Sequence, residues 1–300
     1  MRYGYFPGCS LHATSREYDQ SLRALAAPLG FELVELEDWA CCGASSAHAT
    51  NHLLSLALPA RTLALAEEQG FDTVVAPCAA CYSRLATARH ALAADPAVFA
   101  KVHKILERPK FTNAVRVVNI NELLVGLLPK IKEQLRQPLK SLRVAAYYGC
   151  LLLRPPEIVG FDDPEVPTAM EQVLAACGAT PVEWRMKLEC CGAGLSLSRT
   201  GSVVRLGRAI LEDATKAGAQ AVAVGCPMCH SNLDFRQEAI AARSEQPVRL
   251  PILFVTQLVG LALGLEPAAL GLGRHFVSTR PVVELLAAGA APATASAPQS

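Results

Sequence analysis

The sequence predicts an α/β protein of two pseudo-two-fold-related domains, each a small parallel sheet flanked by helices. Three observations lead there. Ten of the eleven cysteines fall into two copies of one register. Short β-branched segments alternate with helix-length stretches in both copies, the pattern of parallel strands joined by crossover helices. Glycines stop the helices at matching places. At 300 residues the chain is also about twice the ~150-residue guide length of one domain.

Each element follows from its residues. The first copy reads Cys9, Cys41-Cys42-Gly43, Cys78-Ala79-Ala80-Cys81, and the second Cys150, Cys190-Cys191-Gly192, Cys226-Pro227-Met228-Cys229. The patterns are C-x31-CC-x35-C-x2-C and C-x39-CC-x34-C-x2-C, offset by 141 to 149 residues, and only Cys177 stands outside them. Segments 3–6 and 144–148 read as buried strands that end at a Gly-Cys pair. Capping boxes at Thr14-x-x-Glu17 and Thr168-x-x-Glu171 predict the helices that follow, with Gly30 and Gly178 as their stops. Strands at 31–36 and 180–185 lead into the paired cysteines. Long helices at 51–69 and 202–217 end at Gly70 and Gly218. Strands at 73–76 and 221–224 run into each C-x-x-C. Both copies close on a strand, 115–120 and 252–255, before Glu122-Leu123-Leu124 and Gln257-Leu258-Val259. A Pro-bounded, Lys/Arg/Gln-rich join at 129–141 divides an N-terminal domain, 1–138, from a C-terminal one, 139–286. Residues 287–300, rich in Ala, Pro and Ser, are expected to be disordered.

Composition excludes several function classes. The net charge is +1 and aromatics are 6%, so neither the basic face nor the stacking platforms of a nucleic-acid binder are present. The chain is 51% hydrophobic and 18% charged, unlike a disordered protein. No secretory signal opens it. The longest apolar run, 252–265, has 14 residues, against the ~20 of a membrane-spanning helix. A cytoplasmic location follows as the expectation, and in that reducing compartment clustered cysteines point to metal rather than disulfides.

Five thiols per copy at strand ends is more than tetrahedral zinc or an ordinary iron–sulfur cluster takes. The excess suggests a bridging thiolate in an unusual cluster or one thiol free for redox work. Soft thiolates select iron–sulfur clusters, zinc or cuprous ions. Zinc in one or both halves, a thioredoxin-type pair at either C-x-x-C, and plain burial of small apolar thiols are the alternatives on chemistry alone. Cys177, on an apolar helix face, reads as packing.

The duplicated register with Cys-Cys-Gly resembles the cysteine-rich domain of the heterodisulfide reductase B subunit and its bacterial homologues. The likeness extends through Phe6-Pro7-Gly8-Cys9, residues 42–48 (Cys-Gly-Ala-Ser-Ser-Ala-His), residues 76–82 (Ala-Pro-Cys-Ala-Ala-Cys-Tyr) and residues 256–262, and covers about 1–280. The second paired-cysteine-to-CxxC gap is slightly shorter than the family's usual one. The resemblance implies two non-cubane [4Fe-4S] clusters, one on Cys9, Cys41, Cys42, Cys78 and Cys81, the other on Cys150, Cys190, Cys191, Cys226 and Cys229. It implies catalysis through those clusters, with a disulfide or sulfur-carrier substrate between them. No ferredoxin-type cysteine run and no G-x-G-x-x-G fingerprint occurs, so a ferredoxin-type iron–sulfur partner, resembling the C subunit of that reductase, and a flavoprotein subunit are expected.

Around the thiols, His48 and His230 are candidate proton donors, and Arg154 and Lys187 are candidate cations for cluster charge or an anionic substrate. For each, a backbone-bonded histidine or a solvated surface charge is the plainer expectation. Two further functions compete with a disulfide-active oxidoreductase subunit. One is the cysteine-rich, quinone-reactive subunit of a type-E succinate dehydrogenase or fumarate reductase, peripheral to the membrane through its partners or through a surface helix within 250–272. The other is a zinc-stabilised scaffold without catalysis.

Overall fold

Two four-stranded sheets, all parallel, carry the same strand order. The first is built from β1 (Arg2–Tyr5), β2 (Glu32–Glu35), β3 (Thr73–Val75) and β4 (Arg116–Val118) in the order β2-β1-β3-β4. The second repeats it with β5 (Arg143–Tyr147), β6 (Thr180–Pro181), β7 (Ala221–Val224) and β8 (Ile252–Phe254) in the order β6-β5-β7-β8. The computed structural model describes residues 1–44, 47–244 and 248–290. Ser45 and Ser46, within the motif at 42–48, lie outside the described residues.

In the second sheet the central strand β7 and the edge strand β8 are buried at every position, as strands covered on both faces are. The long helices match expectation closely, at His52–Glu68 and Thr200–Lys216. Asn51 starts the first by accepting the Leu54 amide at 2.9 Å. β6 is the main departure among the strands. It pairs over two residues only, and the expected strand at 180–185 turns instead into a 3-10 turn at Met186–Leu188, held because the Tyr148 and Gly149 amides donate to the Lys187 carbonyl.

The two expected capping boxes do not form. Helix Arg16–Ala24 begins without a side-chain cap, and at helix Ala169–Ala176 it is Asp162 Oδ2 that accepts the Thr168 and Ala169 amides. Glu171 is drawn instead to Tyr148 and Lys187. The join at 129–141 starts as helix, Leu128–Glu133, and then docks, with the Arg136 and Gln137 amides donating to the Ala262 carbonyl. Helix Val255–Ala262 is buried at every position, which removes 250–272 as a surface-lying membrane helix. The last helix, Arg280–Ala290, runs past the expected start of a disordered tail at 287, while 291–300 lie outside the described residues.

The halves exchange helices. Arg16–Ala24 of the first packs on Val255–Ala262 of the second, and Ala169–Ala176 of the second packs on Ile120–Gly126 of the first. At the first contact Ser21 Oγ and Thr256 Oγ1 are 2.7 Å apart and buried, and the Tyr18 and Phe254 rings stack with centroids 4.0 Å apart. One continuous hydrophobic core runs through both halves.

Candidate metal centre

All ten register cysteines sit past the carboxyl ends of strands, where open α/β sheets place their sites. Cys9 follows β1, Cys41 and Cys42 follow β2, and Cys78 follows β3; Cys150, Cys190, Cys191 and Cys226 repeat this after β5, β6 and β7. Cys78 and Cys226 are the residues just before helices Ala79–Ala94 and Pro227–Asp234, so Cys81 and Cys229 stand in the first turn. Gly43 and Gly192 take positive φ, 78° and 80°. That reverses the chain so both neighbouring thiols reach one site, and the glycine amides return to Cys41 Sγ at 3.4 Å and Cys190 Sγ at 3.3 Å.

The thiols of each half converge. Cys42 Sγ and Cys81 Sγ are 3.4 Å apart; Cys81 also reaches Cys78, and Cys9 lies in the fields of Cys41, Cys78 and Cys42. In the second half Cys150 Sγ and Cys190 Sγ are 3.9 Å apart, Cys229 reaches Cys191 and Cys226, and Cys150 feels Cys191 and Cys226. Backbone presses against sulfur from the opposite side. A Cβ on Gly8 would come within 2.8 Å of Cys81 Sγ, and one on Gly149 within 3.1 Å of Cys229 Sγ. In each half the Cys-Cys-Gly second thiol and the C-x-x-C pair are buried, while Cys9, Cys41 and Cys190 are exposed and Cys150 is half-buried.

Shared protons divide the thiols. The hydrogen bond with Cys81 and the Ala44 amide hold the Cys42 thiol down at about 7, and Cys81 is pushed up in return. The hydrogen bond with Cys150 and the Gly192 and Ala193 amides bring Cys190 to about 6, with Cys150 pushed up. Cys177 is buried with burial alone acting on it, which raises it to about 12; it belongs to neither set. Since the thiolate is the nucleophile, metal-free protein is expected to alkylate at Cys190 first. Its rate should level off above about pH 7 and fall tenfold per unit below about 6, with Cys177 inert. Peptide mapping after iodoacetamide labelling at a series of pH values checks this, and labelling of Cys177 alongside Cys190 would refute it.

The two centres adjoin. The Tyr18 hydroxyl, fully buried, lies 3.4 Å from the Pro77 carbonyl oxygen and 3.2 Å from that of Gly225, the residues before Cys78 and Cys226. The Ala79 amide of the first half donates to Cys226 Sγ of the second. Sequence reasoning missed Tyr18, because a tyrosine at helical spacing reads as core, and nothing in the second copy matches it.

The other candidate residues fall mostly into plainer roles. His48 is exposed on the short helix Ala47–Thr50. Arg154 pairs with Glu165 at 2.7 Å and Lys187 with Glu171 at 2.9 Å. His230 is buried beside Cys229 and stacks on Phe254. His230, Asp234 and His275 bring ligand-type atoms within 4.8 Å of one another, but their hydrogen bonds are already committed. Gln257 accepts the Phe254 amide and donates to the Leu270 carbonyl, which leaves its amide nitrogen facing His275 Nε2 at 2.9 Å. His230 Nε2 lies 3.0 Å from His275 Nδ1 and 3.2 Å from the Ile252 carbonyl oxygen, so the two rings and that carbonyl share one hydrogen-bonded cluster. Asp234 accepts the Phe276 and Val277 amides. The trio latches segment 275–277 onto the core.

Comparison with known proteins accords with this geometry. The model of the cysteine-rich domain, CCG, matches twice, at residues 3–86 and 144–234. The 8-methylmenaquinol:fumarate reductase membrane anchor subunit of Wolinella succinogenes is 33% identical over 92% of this chain and 96% of its own length. The B subunit of the ferredoxin:CoB-CoM heterodisulfide reductase of Methanosarcina mazei is 30% identical over 94% and 95%. A protein of Archaeoglobus profundus described as like the heterodisulfide reductase B subunit is 28% identical over 89% and 92%. The fold is shared with a hypothetical protein from Helicobacter pylori, at a TM-score of 0.74 and 14% identity, of whose chain this one spans 52% while 93% of its own length is covered. Two matched cysteine-rich domains in tandem, and relatives that align from end to end, make this chain a member of the duplicated CCG-domain family that includes the heterodisulfide reductase B subunit.

Proposed function

We propose that each five-thiol set holds an iron–sulfur cluster and that the chain is the redox-active subunit of a heterodisulfide reductase-like oxidoreductase, acting on a disulfide or a carrier-bound sulfur. The observation that carries this reading is the pair of matching thiol sets joined through Tyr18 and the Ala79 amide. The donor set fits the group: five convergent sulfurs exceed what zinc takes, and three of the ten, Cys42, Cys190 and Cys226, are already held below the ordinary thiol pKa by neighbouring thiols and amides. Four-iron clusters of the non-cubane type, when bound, supply electrons singly, so two adjacent ones supply the pair that an S–S bond requires. The chain's own residues do the rest. Buried Cys42, Cys78, Cys81, Cys191, Cys226 and Cys229 shield the inner side of each centre, exposed Cys9, Cys41 and Cys190 open the outer side to substrate or partner, and Tyr18 fixes the separation of the two C-x-x-C loops.

A ferredoxin-type subunit and a flavoprotein would deliver the electrons. The likeness to the Wolinella protein favours a second reading, in which the same centres pass electrons between a quinol pool and a fumarate-reducing flavoprotein. No helix among the described residues is long and apolar enough to cross a membrane, so that reading places the chain at the membrane through partners. The complex, purified anaerobically with its partners and reduced, separates the two. Reoxidation by oxidised lipoamide or a heterodisulfide, with fumarate inert, is the expected result; reoxidation by fumarate with the disulfides inert selects the second reading.

A further inference from the structure

The two halves provide an internal control, because equivalent positions can be read off the chain itself. Cys81-Tyr82-Ser83-Arg84-Leu85 stands where Cys229-His230-Ser231-Asn232-Leu233 stands in the second half, and Ala40-Cys41-Cys42-Gly43 where Glu189-Cys190-Cys191-Gly192 does. Two differences of charge separate these matched segments. We infer that the centres are electrostatically unequal, the first-half centre beside Arg84 having the higher reduction potential and the second-half centre beside Asn232 and Glu189 the lower. This rests on the reading that each set holds a cluster.

The geometry is specific at position 232. Asn232 is buried, and its Nδ2 donates to the Cys191 carbonyl at 3.1 Å and lies 3.6 Å from Cys191 Sγ. One helical turn beyond the second C-x-x-C cysteine, the side chain therefore turns back onto the inner Cys-Cys-Gly thiol. Arg84 takes the same place one turn beyond Cys81 in helix Ala79–Ala94, and its positive charge acts on Cys42. Glu189 acts in the opposite sense on Cys190; its counterpart, Ala40, is neutral. Reduction adds negative charge to a centre, so a full positive charge at 84 favours it more than an amide dipole at 232, and a carboxylate at 189 opposes it.

Three second-half cations are already engaged. Lys187 and Arg154 are spent on Glu171 and Glu165. Arg236 donates to the Ser196 carbonyl at 2.8 Å and to Asn232 Oδ1 at 3.4 Å, so the asparagine amide stands between its charge and the sulfur.

The test is a reductive titration of the anaerobically purified holoprotein with dithionite and redox mediators, followed by electron paramagnetic resonance, with iron and sulfide quantified on the same sample. Two separated one-electron steps are expected. Arg84→Asn should move the higher step down and leave the lower one in place, Arg84→Lys should keep the higher step near its original place, and Asn232→Arg should raise the lower step toward the higher. Full iron and sulfide with coincident steps in the unsubstituted protein overturns this inference alone, as does an Arg84→Asn variant that moves only the lower step. Absence of iron and sulfide overturns the cluster reading and this inference with it. Should Arg84→Asn fail to fold, the effect of Asn232→Arg on the lower step decides.

Discussion

Anaerobically purified protein is expected to carry about eight iron and eight acid-labile sulfide per chain, as two four-iron clusters require. Cys42→Ser and Cys191→Ser should each lose about half of both, since each thiol is the buried inner member of one set only. Cys177→Ser should lose none, because that thiol is buried in the core apart from both sets. The contrast among the three variants matters more than any one value. Equal loss in all three would mean that iron is lost through unfolding, and that the division of ligands between halves is wrong. Zinc in place of iron, with no labile sulfide, would return the scaffold reading.

Replacing Tyr18 is expected to have the largest effect on stability. Tyr18→Ala removes a fully buried ring that stacks on Phe254 across the two halves, a truncation that costs about 3–5 kcal/mol for large aromatic side chains. Tyr18→Phe keeps the ring and removes only the hydroxyl, whose one proton is shared between the Pro77 and Gly225 carbonyls, at about 1 kcal/mol. Denaturant melts of the two variants measure the difference. Because the hydroxyl ties together the loops that carry Cys78 and Cys226, Tyr18→Phe should also disturb the spectra of both centres at once. A Tyr18→Phe protein as unstable as Tyr18→Ala, or one whose spectra change at a single centre, would contradict this bridging role.

Much of the molecule is legible in the amino-acid sequence, for a definable reason. Thiols at repeated spacing after short β-branched runs can only collect at one end of each sheet, so the grouping of the thiols and the sheet class emerge from the same pattern. Glycine at 43 and 192 is readable because two adjacent thiols cannot face one site without a reversal. What stays hidden depends on tertiary partners. Thr14 and Thr168 have the spacing of helix caps, yet Asp162 takes the amides at 168 and 169 and Tyr148 takes Glu171. Residues 180–185 have strand-like composition, but the Lys187 carbonyl is claimed by the amides of Tyr148 and Gly149. Arg84 and Asn232 are visible in principle, since laying Cys-Tyr-Ser-Arg-Leu over Cys-His-Ser-Asn-Leu exposes them; reading cysteines alone passes over the neighbours that differ.

The reciprocal helix packing has a bearing on why both copies share one polypeptide. Each half lends a helix to the other and receives one at the equivalent place, which is the isologous contact of a homodimer. Two identical protomers joined that way would be obliged to set the same residue beside both sulfur sites. Tandem fusion lifts that obligation, and the chain uses the freedom at two matched pairs of positions, arginine against asparagine and alanine against glutamate.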